Sequence, residues 1–395
     1  MRALSFQWQR QSQLSEGSMQ SLLMNLSRGV ASLQVAAAHL RSEIYPGLRG
    51  LDEPGIGYMA LAFFTGFAHQ AVIVFFLISG WLVGGSLLNK MGQPRALRSY
   101  AIDRATRLWT VLVPTMLIMI GIGLVTGVVA PAPAGLGNPG EFSARTLVGN
   151  LLGLQTIAVE RFGGNYPLWS LANETWYYIQ FPLLLLIFTG RGLFQQAAGA
   201  ALLALTVAFL PDAMSLYFGI WLLGALFSRI RIDSSVGMRL LLLAVAMAVS
   251  VYYRIKGFND DIVPESFVQD LLCSLPIVLL LAAMHAPVGH SAILRCIGKF
   301  AKCLSEFSFT LYVLHVPTIQ LLEHIGRARF GRDKLDPTSV SDFAIYVAML
   351  TILVAVSYLS YLLFERNTYR VRRVFKRWLL PRTPKLATPI IFSAD

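Results

Sequence analysis

The chain has 395 residues, 55% of them hydrophobic and only 14% charged, with a formal net charge of +12. A mean hydropathy of +0.59 excludes an ordinary water-soluble surface. The positive excess does not describe a nucleic-acid binder, because Lys and Arg fall in short segments between apolar runs and at the C-terminus. Cys273, Cys296 and Cys303 are an odd set without zinc-type spacing, so neither a disulfide framework nor a metal site is expected.

Residues 1–25 are rich in Ser and Gln and lack an apolar core, which reads as a cytoplasmic lead-in and not a signal peptide. From there hydropathy predicts an all-α, polytopic membrane protein of about ten transmembrane helices. The segments are 26–41, 59–88, 106–129, 170–189, 193–210, 213–229, 238–253, 267–285, 305–324 and 342–364. The stretch Leu147–Val159 is too short to span and is expected to be re-entrant or to lie on the outer surface. Most of the 33 Lys and Arg residues then fall on one side, which predicts both termini in the cytoplasm. The loop carrying Arg327, Arg329, Arg332 and Lys334 dissents. Three regions follow: the lead-in 1–25, a membrane domain 26–366 and a basic cytoplasmic tail 367–395. The tail sequence YRVRRVFKRWL interleaves cations with Val, Phe, Trp and Leu, as a segment lying on an anionic lipid surface would.

The informative polar residues sit inside the apolar runs. Arg28 and His39 are eleven residues apart in the first helix. Eleven steps of ~100° bring them back to nearly one face, with ~16 Å between them along the axis. Ionisable groups within membrane segments mark function by default. A long donor held at its charged end by Arg28 would present its far end beside His39, near the bilayer midplane. There His39 would take a proton from an acceptor hydroxyl as general base. Arg104 and Arg107, in DRATRLW, share a face at the start of the third helix and suit phosphate binding.

Further along, WSLANETWYY opens the fourth helix with Trp169, Ser170, Asn173, Glu174 and Tyr177. Glu174 would orient a histidine or contact a sugar, and Trp169 and Trp176 would stack on one. An interfacial aromatic belt explains the tryptophans equally well. In FFLISGWLVGG the small residues around Ser79 and Gly80 serve close helix packing, and Ser79 is not expected to be a nucleophile. Tyr312 and His315, in SFTLYVLH, lie three apart on one face, as structural bonding or catalytic support. P-loop, GxGxxG and HExxH patterns are absent.

In these residues the chain resembles the membrane-bound acyltransferase family 3, which O-acylates carbohydrates, lipids and some antibiotics. RGVASLQVAAAH resembles the family's Arg-x10-His motif, FFLISGWLVG its Phe-Phe and Ser-Gly segment, and RATR its Arg-x-x-Arg motif. WSLANETWYY, SFTLYVLH and the closing FER at 364–366 follow in order, so the resemblance runs from Leu26 to Arg366. It implies His39 as catalytic base with Glu174 beside it, and Arg28, Arg104 and Arg107 as contacts for an acyl-CoA, usually acetyl-CoA. Ser79, Trp169, Tyr177, Tyr312 and His315 become substrate-binding or supporting residues. The acceptor implied is a glycan, glycolipid or other hydroxylated molecule, and the location a cytoplasmic (inner) membrane. Met24-Asn25-Leu26-Ser27 departs from the acidic residue that family members often carry before the first arginine. Ile73 and Val74 replace a polar residue common ahead of the double Phe. The rival reading is a polytopic transporter or flippase for a glycan or lipid-linked substrate. A catalytically dead scaffold is a third, against which the retained His39 and arginines argue.

Overall fold

The chain is described by a computed structural model covering residues 5–12, 14–129, 139–256, 262–289 and 291–380. Strand β1 is Ser5–Trp8; helices α1 (Met19–Ile44), α2 (Ile56–Phe64), α3 (Ala68–Ser79), α4 (Gly85–Lys90) and α5 (Ala96–Val125) follow. A short α6 (Ala144–Leu151) precedes α7 (Leu168–Thr189), α8 (Leu193–Phe209) and α9 (Asp212–Phe227). Strand β2 (Ile230–Asp233) leads into α10 (Val236–Lys256), α11 (Phe267–Ala283) and α12 (Ala292–Glu306). The chain continues through α13 (Ser308–Phe330) and α14 (Val340–Leu363) to α15 (Thr368–Leu379).

This is a multi-pass membrane protein. Among the described residues five helical stretches are long and apolar enough to cross a bilayer: Ile56–Lys90, Ala96–Val125, Val236–Lys256, Pro264–Ala283 and Val340–Leu379. The other expected segments are also helical. Helices α8 and α9 are apolar but shorter, and α1, α7 and α13 carry more polar side chains. None of α10 is buried, and Leu240, Leu241 and Met247 stand open on it. Apolar surface of that extent calls for lipid, not water.

Local chemistry moves several boundaries. Helix α1 starts at Met19 rather than 26 because the Ser18 hydroxyl accepts from the Ser21 N–H at 3.1 Å, a helix N-cap. His39 therefore stands five residues from the end of α1, and it is Arg28 that lies nearer the helix centre. The lead-in is not featureless. Residues Ser5–Trp8 pair antiparallel with Ile230–Asp233, so the fold is helical but not purely so. Helix α12 was not expected, since its Arg295, Lys299 and Lys302 hide an amphipathic helix from a search for apolar spans.

The second apolar segment is broken into α2, α3, a π turn over Gly80–Gly84, and α4. Small residues serve packing there, as expected. A Cβ on Gly80 would overlap the Trp221 carbonyl, and one on Gly224 would overlap that of Leu77. Backbone-to-backbone approach of α3 and α9 is thus possible only with glycine at both positions. Pro317 interrupts α13 and cannot donate to Val313. The freed Val313 carbonyl accepts from Asn165 Nδ2 at 2.9 Å instead, which ties the loop before α7 to α13. Another buried polar cluster joins three helices: His69 Nε2 lies 2.8 Å from both oxygens of Asp270, and Tyr217 donates to Oδ2 at 2.5 Å.

Gly224→Ala should cost about 1–3 kcal/mol through overpacking. A thermal melt in detergent reads the loss, and an unchanged melting temperature would show that α3 and α9 do not pack backbone to backbone.

Candidate active site

An interior cavity of about 550 Å³ opens between α1, α3, α5, α7, α13 and the segment running into α15. Five arginines line it: Arg28, Arg104, Arg107, Arg366 and Arg372. Three carboxylates, Glu174, Glu306 and Glu365, stand on the same wall, leaving two positive charges in excess. Cations in such a setting require partners. Arg107 forms an ion pair of 2.5 Å with the buried Glu365, whose other oxygen accepts from the Thr310 N–H at 3.2 Å and its hydroxyl at 2.5 Å. Arg28 donates a long 3.4 Å bond to Ser308 Oγ. Arg104 sits 5.7 Å over the Tyr178 ring, and its buried Nε has no hydrogen-bond partner among the described residues. Arg28 and Arg104 therefore retain donors that an anionic ligand can satisfy.

Glu174 belongs to this cavity and not to a histidine. It accepts from Ser79 Oγ at 2.6 Å and from the Tyr178 hydroxyl, while Ser79 Oγ accepts from Trp221 Nε1 at 3.1 Å. The Ser79 proton is thus committed to the carboxylate, in keeping with its expected lack of a nucleophilic role. The expectation that Glu174 orients a histidine is corrected.

The residue that orients His39 is His315. Their Nδ1 and Nε2 atoms are 2.8 Å apart, and the rings stack with centroids 5.0 Å apart. Nδ1 of His315 faces the Leu311 carbonyl at 3.1 Å, which can only accept. That nitrogen therefore carries the proton, Nε2 of His315 accepts, and His39 must donate from Nδ1. The lone pair of His39 is left on Nε2. Tyr166 packs edge-on to this imidazole at 4.9 Å, and its hydroxyl reaches Glu43 at 3.4 Å.

Arg28 and His39 do share a face of α1, because both meet α13, at Ser308 and His315. They do not share a cavity, since His39 is not on the wall that Arg28 lines. Tyr312 links the two places. It lines the cavity, bonds Ser170 Oγ at 2.6 Å, and turns its ring toward His315 at 6.0 Å. Trp169 and Tyr177 belong elsewhere. Trp169 packs edge-on against Phe76 at 6.4 Å, and Tyr177 is fully buried against Phe76 and Phe218. Tyr177 is a core aromatic and Trp169 a half-buried one packed beside it, so of their two expected roles the geometry favours support of the fold. Trp176 donates to the Gly153 carbonyl at 2.9 Å and so pins a loop.

Sequence reading missed Tyr178, Ser308 and Arg372 as wall residues and Glu365 as the partner of Arg107. For Glu365 a signal existed: a carboxylate directly after a long apolar helix, more than 250 residues from any predicted partner.

Five arginines thus gather around one cavity of a helical membrane bundle. The chain belongs to acyltransferase family 3: residues 23–362 match the family's acyltransferase domain. No curated protein and no solved structure matches it.

Glu365→Gln should destabilise the protein by about 2–3 kcal/mol, because Arg107 loses its carboxylate in a largely buried setting. Arg107→Gln in the same chain should recover part of the loss. Additive effects in this double-mutant cycle would dismiss the pair as a structural link.

Proposed function

We propose that this acyltransferase moves an acyl group, acetyl by preference, from acyl-CoA to a hydroxyl of a glycan or glycolipid. The observation that carries the reading is the common frame of the two places. Helices α1 and α13 supply Arg28 and Ser308 to the arginine cavity and His39 and His315 to the imidazole pair, with Tyr312 between. A CoA is anionic at its nucleotide and neutral along its pantetheine arm, so it suits a cavity whose arginines stand at one end. The offset from Arg28 to His39, ~16 Å along the helix, is a distance an extended pantetheine arm covers.

In this reading the phosphates rest on Arg28 and Arg104, with Arg107 held in place by Glu365. The arm passes Tyr312 and brings the thioester to His39. The acceptor hydroxyl gives its proton to His39 Nε2 as its oxygen attacks the thioester carbon. The carbon–sulfur bond then breaks, and CoA leaves as the thiolate, which takes up a proton. His315 keeps the His39 tautomer correct for this step and stabilises the imidazolium that forms. Direct transfer is preferred to an acyl-enzyme, because the Ser79 hydroxyl is engaged by Glu174.

The setting is a ten-span protein of the cytoplasmic (inner) membrane with both termini inside, so that donor arrives from the cytoplasm and acceptor from the opposite face. Two cations of the dissenting loop have local tasks that fit this orientation: Arg327 pairs with Asp333 at 3.0 Å and Arg332 with Asp342 at 3.1 Å. The transporter reading is set aside because the chain belongs to an acyltransferase family.

Purified protein, radiolabelled acetyl-CoA and a panel of glycan acceptors test the proposal. His39→Ala should lower kcat at least 10²-fold, and His315→Ala should do so less severely, with the KM for acetyl-CoA unchanged in both. Arg104→Ala should instead weaken donor binding about tenfold. Full turnover by His39→Ala would sink the base assignment, and a wild-type protein that neither binds nor cleaves acyl-CoA would sink the whole reading.

A further inference from the structure

Two of the cavity's five arginines, Arg366 and Arg372, come from beyond the last apolar helix. Helix α15 is not simply laid against the bundle. Thr368, Arg372 and Lys376 recur every four residues and form one stripe facing α5. Thr368 Oγ1 lies 2.8 Å from Thr110 Oγ1, and Lys376 donates to Ser99 Oγ at 2.9 Å. Between them stands Asp103, a carboxylate 5% exposed. It receives Lys376 at 2.6 Å, Lys90 at 3.2 Å and Arg372 at 3.4 Å.

One carboxylate thus carries three cations, of which Lys376 makes the closest contact. Holding the helix does not require Arg372, whose contact is the longest of the three. Its guanidinium also lines the cavity, near enough to Arg104 and Arg107 for their charges to repel it. Like charges gathered around one cavity are stabilised when an anion arrives between them. The opposite side of α15 exposes Val374 and Trp378, which suits contact with a lipid interface and leaves the Arg372 side turned inward.

We propose that α15 is the closing wall of the donor site: Arg372 binds a phosphate of the CoA nucleotide beside Arg104, and Asp103 is the positioning residue that holds Arg372 there. The inference rests on the acyl-CoA reading above and adds to it a binding element from the C-terminal segment. The helix is attached through polar and ionic contacts, so donor affinity depends on the clasp as well as on the arginine.

The test uses the full-length protein in detergent and two probes, CoA and the neutral arm pantetheine, measured by titration calorimetry or competition. Arg372→Ala should weaken CoA binding about tenfold and leave pantetheine unchanged, while Arg372→Lys keeps part of the affinity. Arg377→Ala, which removes an exposed cation from the same helix, should stay within about twofold of wild type. Asp103→Asn should act in the same direction as Arg372→Ala. In turnover, both should raise the KM for the donor without changing kcat, a split that general loosening of the fold does not produce. CoA affinity unchanged in Arg372→Ala, or lost equally in Arg377→Ala, would overturn the proposal and leave α15 as a membrane-surface helix. Wild-type protein that does not bind CoA would instead overturn the donor reading itself.

Discussion

Charge inside an apolar bundle is the constraint from which the rest of this structure follows. A guanidinium cannot be neutralised by losing its proton, so in a helix bundle it is paired, hydrated or kept for a ligand. The protein uses these solutions side by side. Arg107 is matched to Glu365, and Glu365 is itself satisfied by the backbone and hydroxyl of Thr310. Arg104 has an aromatic face and an unpartnered Nε, and Arg28 has one long bond to a serine. The paired arginine fixes the wall, and the under-satisfied ones are the donors available to a ligand. The same logic extends to Glu174, whose Ser79 and Tyr178 partners fix a carboxylate in the cavity the arginines line.

Helices α1 and α13 turn that chemistry into a direction. Their contacts at Arg28–Ser308 and His39–His315 are separated by eleven residues on one helix and seven on the other. One end of the contact opens into a cationic cavity, and the other closes around an imidazole whose tautomer is set by a backbone carbonyl. The Pro317 break just beyond His315 reinforces this arrangement, because the carbonyl it frees binds Asn165 and draws the start of α7 toward α13. Ser170, two residues into α7, is then in place to hold the Tyr312 hydroxyl. A single proline thus helps to set the tyrosine that lies between the two places.

What was legible in the sequence is what depends on local periodicity. The eleven-residue spacing put Arg28 and His39 on one face, and both do meet α13. The long apolar runs are helical, although α1 and α5 begin seven and ten residues ahead of their expected starts and the second run is broken, and the FFLISGWLVGG segment packs through its glycines as its composition implied. What failed depends on long-range partners. Tyr178 is an i,i+4 neighbour of Glu174, but nothing near Glu174 in sequence says that its other partner is Ser79 rather than a histidine. Trp169 and Trp176 look like a sugar platform in one dimension, but Trp169 packs edge-on against Phe76 and Trp176 is bonded to the Gly153 carbonyl. Helix α12 escaped because an amphipathic helix and a basic loop have the same average hydropathy. The strand Ser5–Trp8 has meaning only beside Ile230–Asp233, across more than 200 residues.

Close packing at the glycines and chemistry in the cavity are one device. Gly80 and Gly224 let α3 and α9 approach until backbone meets backbone, and this brings the Trp221 indole to Ser79. With the indole donating to its oxygen, Ser79 turns its proton to Glu174, so the carboxylate is set from α9 through a residue of α3. The π turn that begins at Gly80 follows directly after this serine, where the regular helical pattern has to yield to that approach. A larger residue at either glycine would push α9 away, separate the indole from Ser79 and leave the half-buried carboxylate under-satisfied. Its consequences would be felt at a cavity wall that neither glycine touches. The small residues of the α3–α9 contact are therefore part of the site's electrostatics, although none of them carries a charge.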